Sequence, residues 1–139
     1  MRNIVAPIVI GVLWLVFIIG CHKGDNSPAY IMKARINDSV FTGNNCYAAT
    51  NDSGKLSIAT TTRLPYIFLT VNKGYAGVGT YTFDGVINFS QIDSVSGWGY
   101  ISAYGTLSIT STNPLTGTFS FTCQDSTKVT EGSFVAKTD

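Results

Sequence analysis

Four short runs of this chain are written in the same way. Gly79-Thr80-Tyr81-Thr82-Phe83, Gly105-Thr106-Leu107-Ser108-Ile109, Gly117-Thr118-Phe119-Ser120-Phe121 and Gly132-Ser133-Phe134-Val135-Ala136 each open on glycine and a hydroxyl residue. Each then alternates apolar residues with mostly small ones. Side chains on a strand point to opposite faces in turn, so the bulky set falls on one face and the hydroxyls on the other. This is the composition of a half-buried antiparallel strand. The spacings between the runs differ, so they are not a sequence repeat.

No stretch after Pro28 keeps a helical period. Turn residues punctuate it instead: Asn37-Asp38-Ser39, Asn51-Asp52-Ser53-Gly54, Asn72-Lys73-Gly74, Asp84-Gly85, Ser96-Gly97, Asn113-Pro114 and Asp125-Ser126-Thr127. Between them the pattern predicts strands near 30–36, 39–42, 45–50, 55–62, 66–72, 78–84, 87–92, 98–104, 105–112, 116–123 and 129–137, some of which should merge. The expected class is all-β: an antiparallel β-sandwich or barrel-like meander of about 8–10 strands, the last three a simple meander. Sequence alone leaves sandwich and barrel both open.

The N-terminus reads as an address rather than part of the fold. Met1-Arg2-Asn3 is short and basic, and residues 4–19 are almost wholly apolar. That run is short for a spanning helix, which needs about 20 residues, but it suits the hydrophobic region of a signal peptide. It ends in Ile18-Ile19-Gly20-Cys21, which resembles the lipobox of bacterial lipoproteins. The resemblance implies a hydrophobic signal helix at 1–20, cleavage before Cys21, and membrane lipid as a covalent partner through the Cys21 thiol. More than one acyl chain gives lasting attachment, since each buried methylene contributes about 0.8 kcal/mol. Residues 21–29, with Gly24 and Pro28 and no apolar period, form the lipidated N-terminus and a flexible tether. Residues 30–139 form the all-β domain. Position 22 is His rather than the Asp associated with inner-membrane retention, which favours the outer membrane. Whether the domain faces the periplasm or the cell exterior stays open.

Composition limits the chemistry. Charged residues make up 12% of the 139 residues, about half the usual quarter. Apart from Arg2, eight basic and eight acidic side chains remain, so no basic field exists to attract nucleic acid. The one histidine, His22, sits in the tether, so the domain has no imidazole for a Ser-His-Asp or Cys-His system. Most acids fall in expected turns, and no His, Cys or acid set has ligand spacing. No catalytic residue, metal site or cofactor is expected, and the chain reads as a non-enzyme.

Three residue sets carry other chemistry. Cys46 and Cys123 lie in an exported, oxidising compartment. Cys123 shares parity with Phe119 and Phe121, so it should face the core. A Cys46–Cys123 disulfide would close a loop of about 77 residues, worth about 4 kcal/mol; two separate buried thiols are the alternative. Trp98, Tyr100 and Tyr104 share a parity with Ser102, and a row of exposed rings there could stack on a sugar; aromatics also fill β cores. The Asp-hydroxyl-aliphatic or Thr pattern at Asp38-Ser39-Val40, Asp93-Ser94-Val95 and Asp125-Ser126-Thr127 resembles O-glycosylation sites of some exported bacterial proteins, with Ser39, Ser94 and Ser126 as the acceptors.

Met32-Lys33-Ala34-Arg35-Ile36-Asn37 followed by Phe41, then the runs from Gly105, Leu115 and Val129, together resemble small lipoproteins of Gram-negative bacteria classed as a domain of unknown function. The resemblance spans most of residues 30–137 and implies an exported all-β domain, with no activity or cofactor attached. It departs at Asn37-Asp38-Ser39, where glycine is expected in the first turn. The functional expectation is a non-enzymatic envelope lipoprotein with an accessory or binding role at the outer membrane. The alternative is a carbohydrate- or small-ligand-binding module using an aromatic strip or a barrel mouth. A glycan or another envelope protein is the partner class each admits.

Overall fold

In the computed structural model the described residues are 29–61, 65–85, 88–93 and 99–139. They form ten strands: β1 Ile31–Ile36, β2 Ser39–Asn44, β3 Cys46–Asn51, β4 Lys55–Thr60, β5 Tyr66–Val71, β6 Gly79–Phe83, β7 Asn88–Asp93, β8 Gly99–Thr112, β9 Leu115–Cys123 and β10 Lys128–Thr138. The fold is all-β, as the alternation implies. The two segments expected at 98–104 and 105–112 are one long strand, β8. The last three strands are the expected meander, β8 pairing β9 and β9 pairing β10.

Sandwich versus barrel resolves to a closed seven-strand barrel. Following the hydrogen-bonded neighbours, the ring runs β3-β4-β5-β7-β8-β9-β10 and returns to β3. One long strand serves two neighbours on the same edge at each corner. β8 pairs β7 through Gly99–Ile101 and β6 through Gly105–Ile109. β10 pairs β1 through Val129–Val135 and β3 only at Lys137↔Tyr47 and Thr138↔Ala48. β6 and the β1–β2 hairpin therefore extend the wall beyond the ring.

The corners are made by bulges, which add a residue to one strand and bend it. In β8 the register slips between Ser102 and Tyr104 and again between Ile109 and Ser111. In β10 it slips between Val129 and Gly132, where Glu131 takes φ 51°. The slip keeps Val129 and Gly132 both facing inward, although two residues lie between them.

The repeated glycines have a packing role. Gly105 lies in register with Phe121 on one side and Phe83 on the other. Gly117 faces Phe134, and Gly132 faces Phe119. A Cβ at Gly105 would stand 2.5 Å from Phe121 Cβ and 2.5 Å from the Ser120 carbonyl oxygen. The phenyl rings occupy the space that the glycines leave. Phe83 meets Phe121 edge-on at 6.2 Å, Phe119 stacks on Phe121 at 6.2 Å, and Phe119 contacts Phe134 at 6.3 Å. With Met32, Leu56, Ile58, Leu69, Val71 and Leu107 fully buried, the interior is packed with side chains, as small barrels are.

The first hairpin turns without glycine. Asn37 (φ 44°) and Asp38 (φ 70°) both take left-handed conformations between the paired Ile36 and Ser39, the geometry of a two-residue type I′ turn, which Asn and Asp tolerate. Asn37 also donates its backbone N–H to the Lys128 carbonyl (2.9 Å) and accepts the Lys128 N–H on its side chain (2.8 Å). The hairpin is thereby fastened to the start of β10.

Candidate ligand groove

The expected aromatic strip does not hold as one face. Ser102 is fully buried while Tyr104 is 62% exposed, although the two share sequence parity. The reason is the bulge at Ala103, which gives Ser102↔Cys123 and Tyr104↔Thr122 with one extra residue between them. Parity reverses there, so Tyr104 stands on the outer wall. Gln124 donates its backbone N–H to the Ile101 carbonyl at this corner (3.0 Å). Tyr100 pairs through its backbone with Ile92, and Trp98 lies outside the described residues.

A different set of rings comes together on the outer face of β3, β4, β5 and β7. The registers Tyr47↔Ala59, Ala59↔Phe68 and Phe68↔Gln91 align one row across four strands. The row continues to Ile101 on β8 and to Lys137 on β10. Alternation explains the facing: Ala48, Ile58, Ile67 and Leu69 are buried inward, so their neighbours face out. Tyr66, two residues from Phe68, lies on the same face. These residues border a groove of about 480 Å³, lined by Tyr47, Ala59, Thr60, Thr61, Tyr66, Phe68 and Gln91.

The row has walls and a floor. Ala59 is a short side chain between two rings, and the rings leave it only 6% exposed. Tyr47 is 41% exposed and Ile101 38%. Strands pack about 4.8 Å apart, so Tyr47 and Phe68 stand roughly 9.6 Å apart at the backbone. A flat ring contacting both needs roughly 7–8 Å, twice a carbon–carbon contact. Among the described residues no charged side chain lines the groove; its polar groups there include the Gln91 amide, the Thr61 hydroxyl and the phenol hydroxyls of Tyr47 and Tyr66, and the exposed Lys137 stands beside Tyr47. The sequence held one signal of this face: Tyr66-Ile67-Phe68-Leu69 is apolar at both parities, as in a strand whose two faces are both covered.

Cys46 and Cys123 are both buried, and each is a thiol rather than half of a disulfide. The expected bond is therefore not present. Cys46 lies on β3, where it pairs with Thr60, and Cys123 ends β9, where it pairs with Ser102; each fills core volume on its own strand. Burial pushes the Cys46 thiol up to about 12. Burial first, and the nearby Asp125 second, push Cys123 up to about 11. Both stay protonated at neutral pH, and thiols in that state are poor nucleophiles.

Ser39 is exposed beside the hairpin turn, and Val40 after it is 78% exposed. Ser126 is exposed at the apex of a tight turn with φ 72°, where Asp125 accepts the Thr127 N–H (3.0 Å) and hydroxyl (2.8 Å). Cys21 and Ser94 lie outside the described residues. Among the described residues no group of three or more His, Cys, Asp or Glu could hold a metal ion, and no helix is long and apolar enough to cross a membrane.

The described residues thus form a packed, closed β-barrel with an aromatic groove on its outer wall, on the face of the sheet rather than in the mouth. The chain belongs to the family described as Domain of unknown function (DUF6252), whose model matches residues 26–136. Comparison with the curated proteins and with the solved structures found no match.

Proposed function

We propose that this chain is a lipid-anchored envelope protein whose barrel is a non-enzymatic binding module, taking a carbohydrate ring in the groove between Tyr47 and Phe68. The observation that carries the reading is the Tyr47–Ala59–Phe68–Gln91 row, two rings flanking a short floor with an amide at its end. Sugars present C–H faces that lie on aromatic rings and hydroxyls that bond amides and hydroxyl groups. A site of this size falls within the usual range of ligand pockets. The anchor rests on the Ile18-Ile19-Gly20-Cys21 motif and on the polar tether after it. Outer-membrane placement rests on His22, and both faces of that membrane suit the reading.

The test is binding of the protein, purified from its host's membranes, to immobilised envelope and extracellular glycans. Wild type should bind a neutral saccharide, and Tyr47→Ala should weaken that binding by about tenfold or more, the loss of 1–2 kcal/mol that one ring contact supplies. Tyr47 is partly exposed, so its removal should leave the thermal midpoint nearly unchanged. Absence of glycan binding by wild type, or equal binding by Tyr47→Ala, refutes the groove. The intact mass of the same material tests the anchor: it should equal Cys21–Asp139 plus acyl chains.

A further inference from the structure

Among the described residues the β1–β2 hairpin ends its sheet in an open strand, β2 pairing with β1 alone. In a hairpin closed by a two-residue turn, the flanking residues Ile36 and Ser39 form a hydrogen-bonded pair, and such pairs alternate along the ladder. The pairs Ala34↔Phe41 and Met32↔Gly43 then carry the bonds to β1, while Val40 and Thr42 turn their N–H and C=O groups to the open side. Among the described residues nothing bonds to those outward groups. The other end of the sheet, β6, packs beside β7 instead.

Open edges normally carry a protecting charge, proline or bulge. Ser39-Val40-Phe41-Thr42-Gly43-Asn44 has none of the three. Val40 is also 78% exposed, the highest exposure of any large hydrophobic residue among those described. A groove of about 640 Å³ runs beside the strand, walled by Ile36, Val40, Phe41, Thr42 and Pro65.

We propose that β2 pairs antiparallel with β2 of a second copy of this chain, about a two-fold axis at Phe41. That register makes Val40 and the partner copy's Thr42 a hydrogen-bonded pair, and symmetry doubles it. Four outward groups on each chain are then satisfied, and Val40 is covered. The same register sets Asp38 opposite Asn44 of the other copy, so no like charges meet. A hexapeptide with no charge suits itself in a self-complementary contact, and the lipid anchor of the proposed function would confine both copies to one surface and raise their effective concentration.

Sedimentation of the full chain in neutral detergent tests this, with Val40→Lys as the first variant and Thr42→Pro as the second. Lysine at an exposed site leaves the fold alone and adds charge repulsion across the axis. Proline removes only an outward N–H. Wild type should show a monomer–dimer equilibrium, and both variants should be monomeric with unchanged circular dichroism. A mixture of Val40→Cys and Thr42→Cys chains should form a mixed disulfide. A wild type that stays monomeric at every concentration overturns the proposal, including one that captures a foreign extended peptide. So does a dimer that survives Val40→Lys.

Discussion

Gly105 sits between Phe83 and Phe121 on its two neighbouring strands, and the two rings meet over it edge-on. Alanine there places a methyl group against the Phe121 backbone and the Ser120 carbonyl. The strands must part or the rings must move, and overpacking of this kind costs about 1–3 kcal/mol. Gly105→Ala should lower the unfolding free energy read from urea titration by that amount, with alanine at the exposed Gly74, which has open space around it, as a strain-only comparison. The cysteines give a second prediction. Their folded-state values, about 12 for Cys46 and about 11 for Cys123, lie above the ordinary 9.0. Above pH 9 the unfolded chain loses these protons first, so folding stability is fully present below pH 9 and falls as pH rises towards 12. Urea midpoints at pH 9 and pH 11 should fall less for Cys46→Ala than for wild type. Inward parity for Cys123 was legible in the sequence because Phe119 and Phe121 share its strand. Whether Cys46 joined it was not, because bonding depends on where two distant strands lie in space.

At the level of elements, the alternation of the Gly-hydroxyl runs located the strands, since period-two burial is written locally. The bulges were not readable. A bulge exists only relative to a partner's register, and Ala103 looks like any other residue between Ser102 and Tyr104 until Cys123 and Thr122 are set beside them. With that extra residue Ser102 and Tyr104 take opposite faces although they share sequence parity. Deleting Ala103 keeps both on those faces and in register with Cys123 and Thr122, so it makes the ladder regular and removes the bend of the corner. The expected result is a lowered thermal midpoint, a penalty of about 1–3 kcal/mol, whereas Ala103→Ser should unfold as wild type does. The groove was hidden for a related reason. Tyr47, Ala59, Phe68 and Gln91 come from four strands, and no window along the chain contains them together. Only the doubly apolar run at Tyr66–Leu69 pointed to that face.

Taken whole, the barrel obeys a parity rule. Neighbours in a ring of alternating strand directions can all be antiparallel only if the number of strands is even. Seven strands leave one parallel pair, and here it is β10 with β3. It is also among the shortest contacts of the ring, two residue pairs against six between β3 and β4. Parallel pairing is slightly weaker per residue, so this junction should open first. Amide exchange should be fastest among the ladder residues at Ala48, Lys137 and Thr138, and slowest where β8 meets β9; equal protection at the two places would argue against it.

Tyr47 belongs to that junction and to the groove at once. The barrel is then a bracelet whose clasp lies beside the groove, with Lys137 across the seam from Tyr47. Under the proposed function, a molecule that rests on Tyr47 and also reaches Lys137 would bridge the clasp and favour its closed form, and by the reciprocity of linked equilibria an opened clasp would hold that molecule less well.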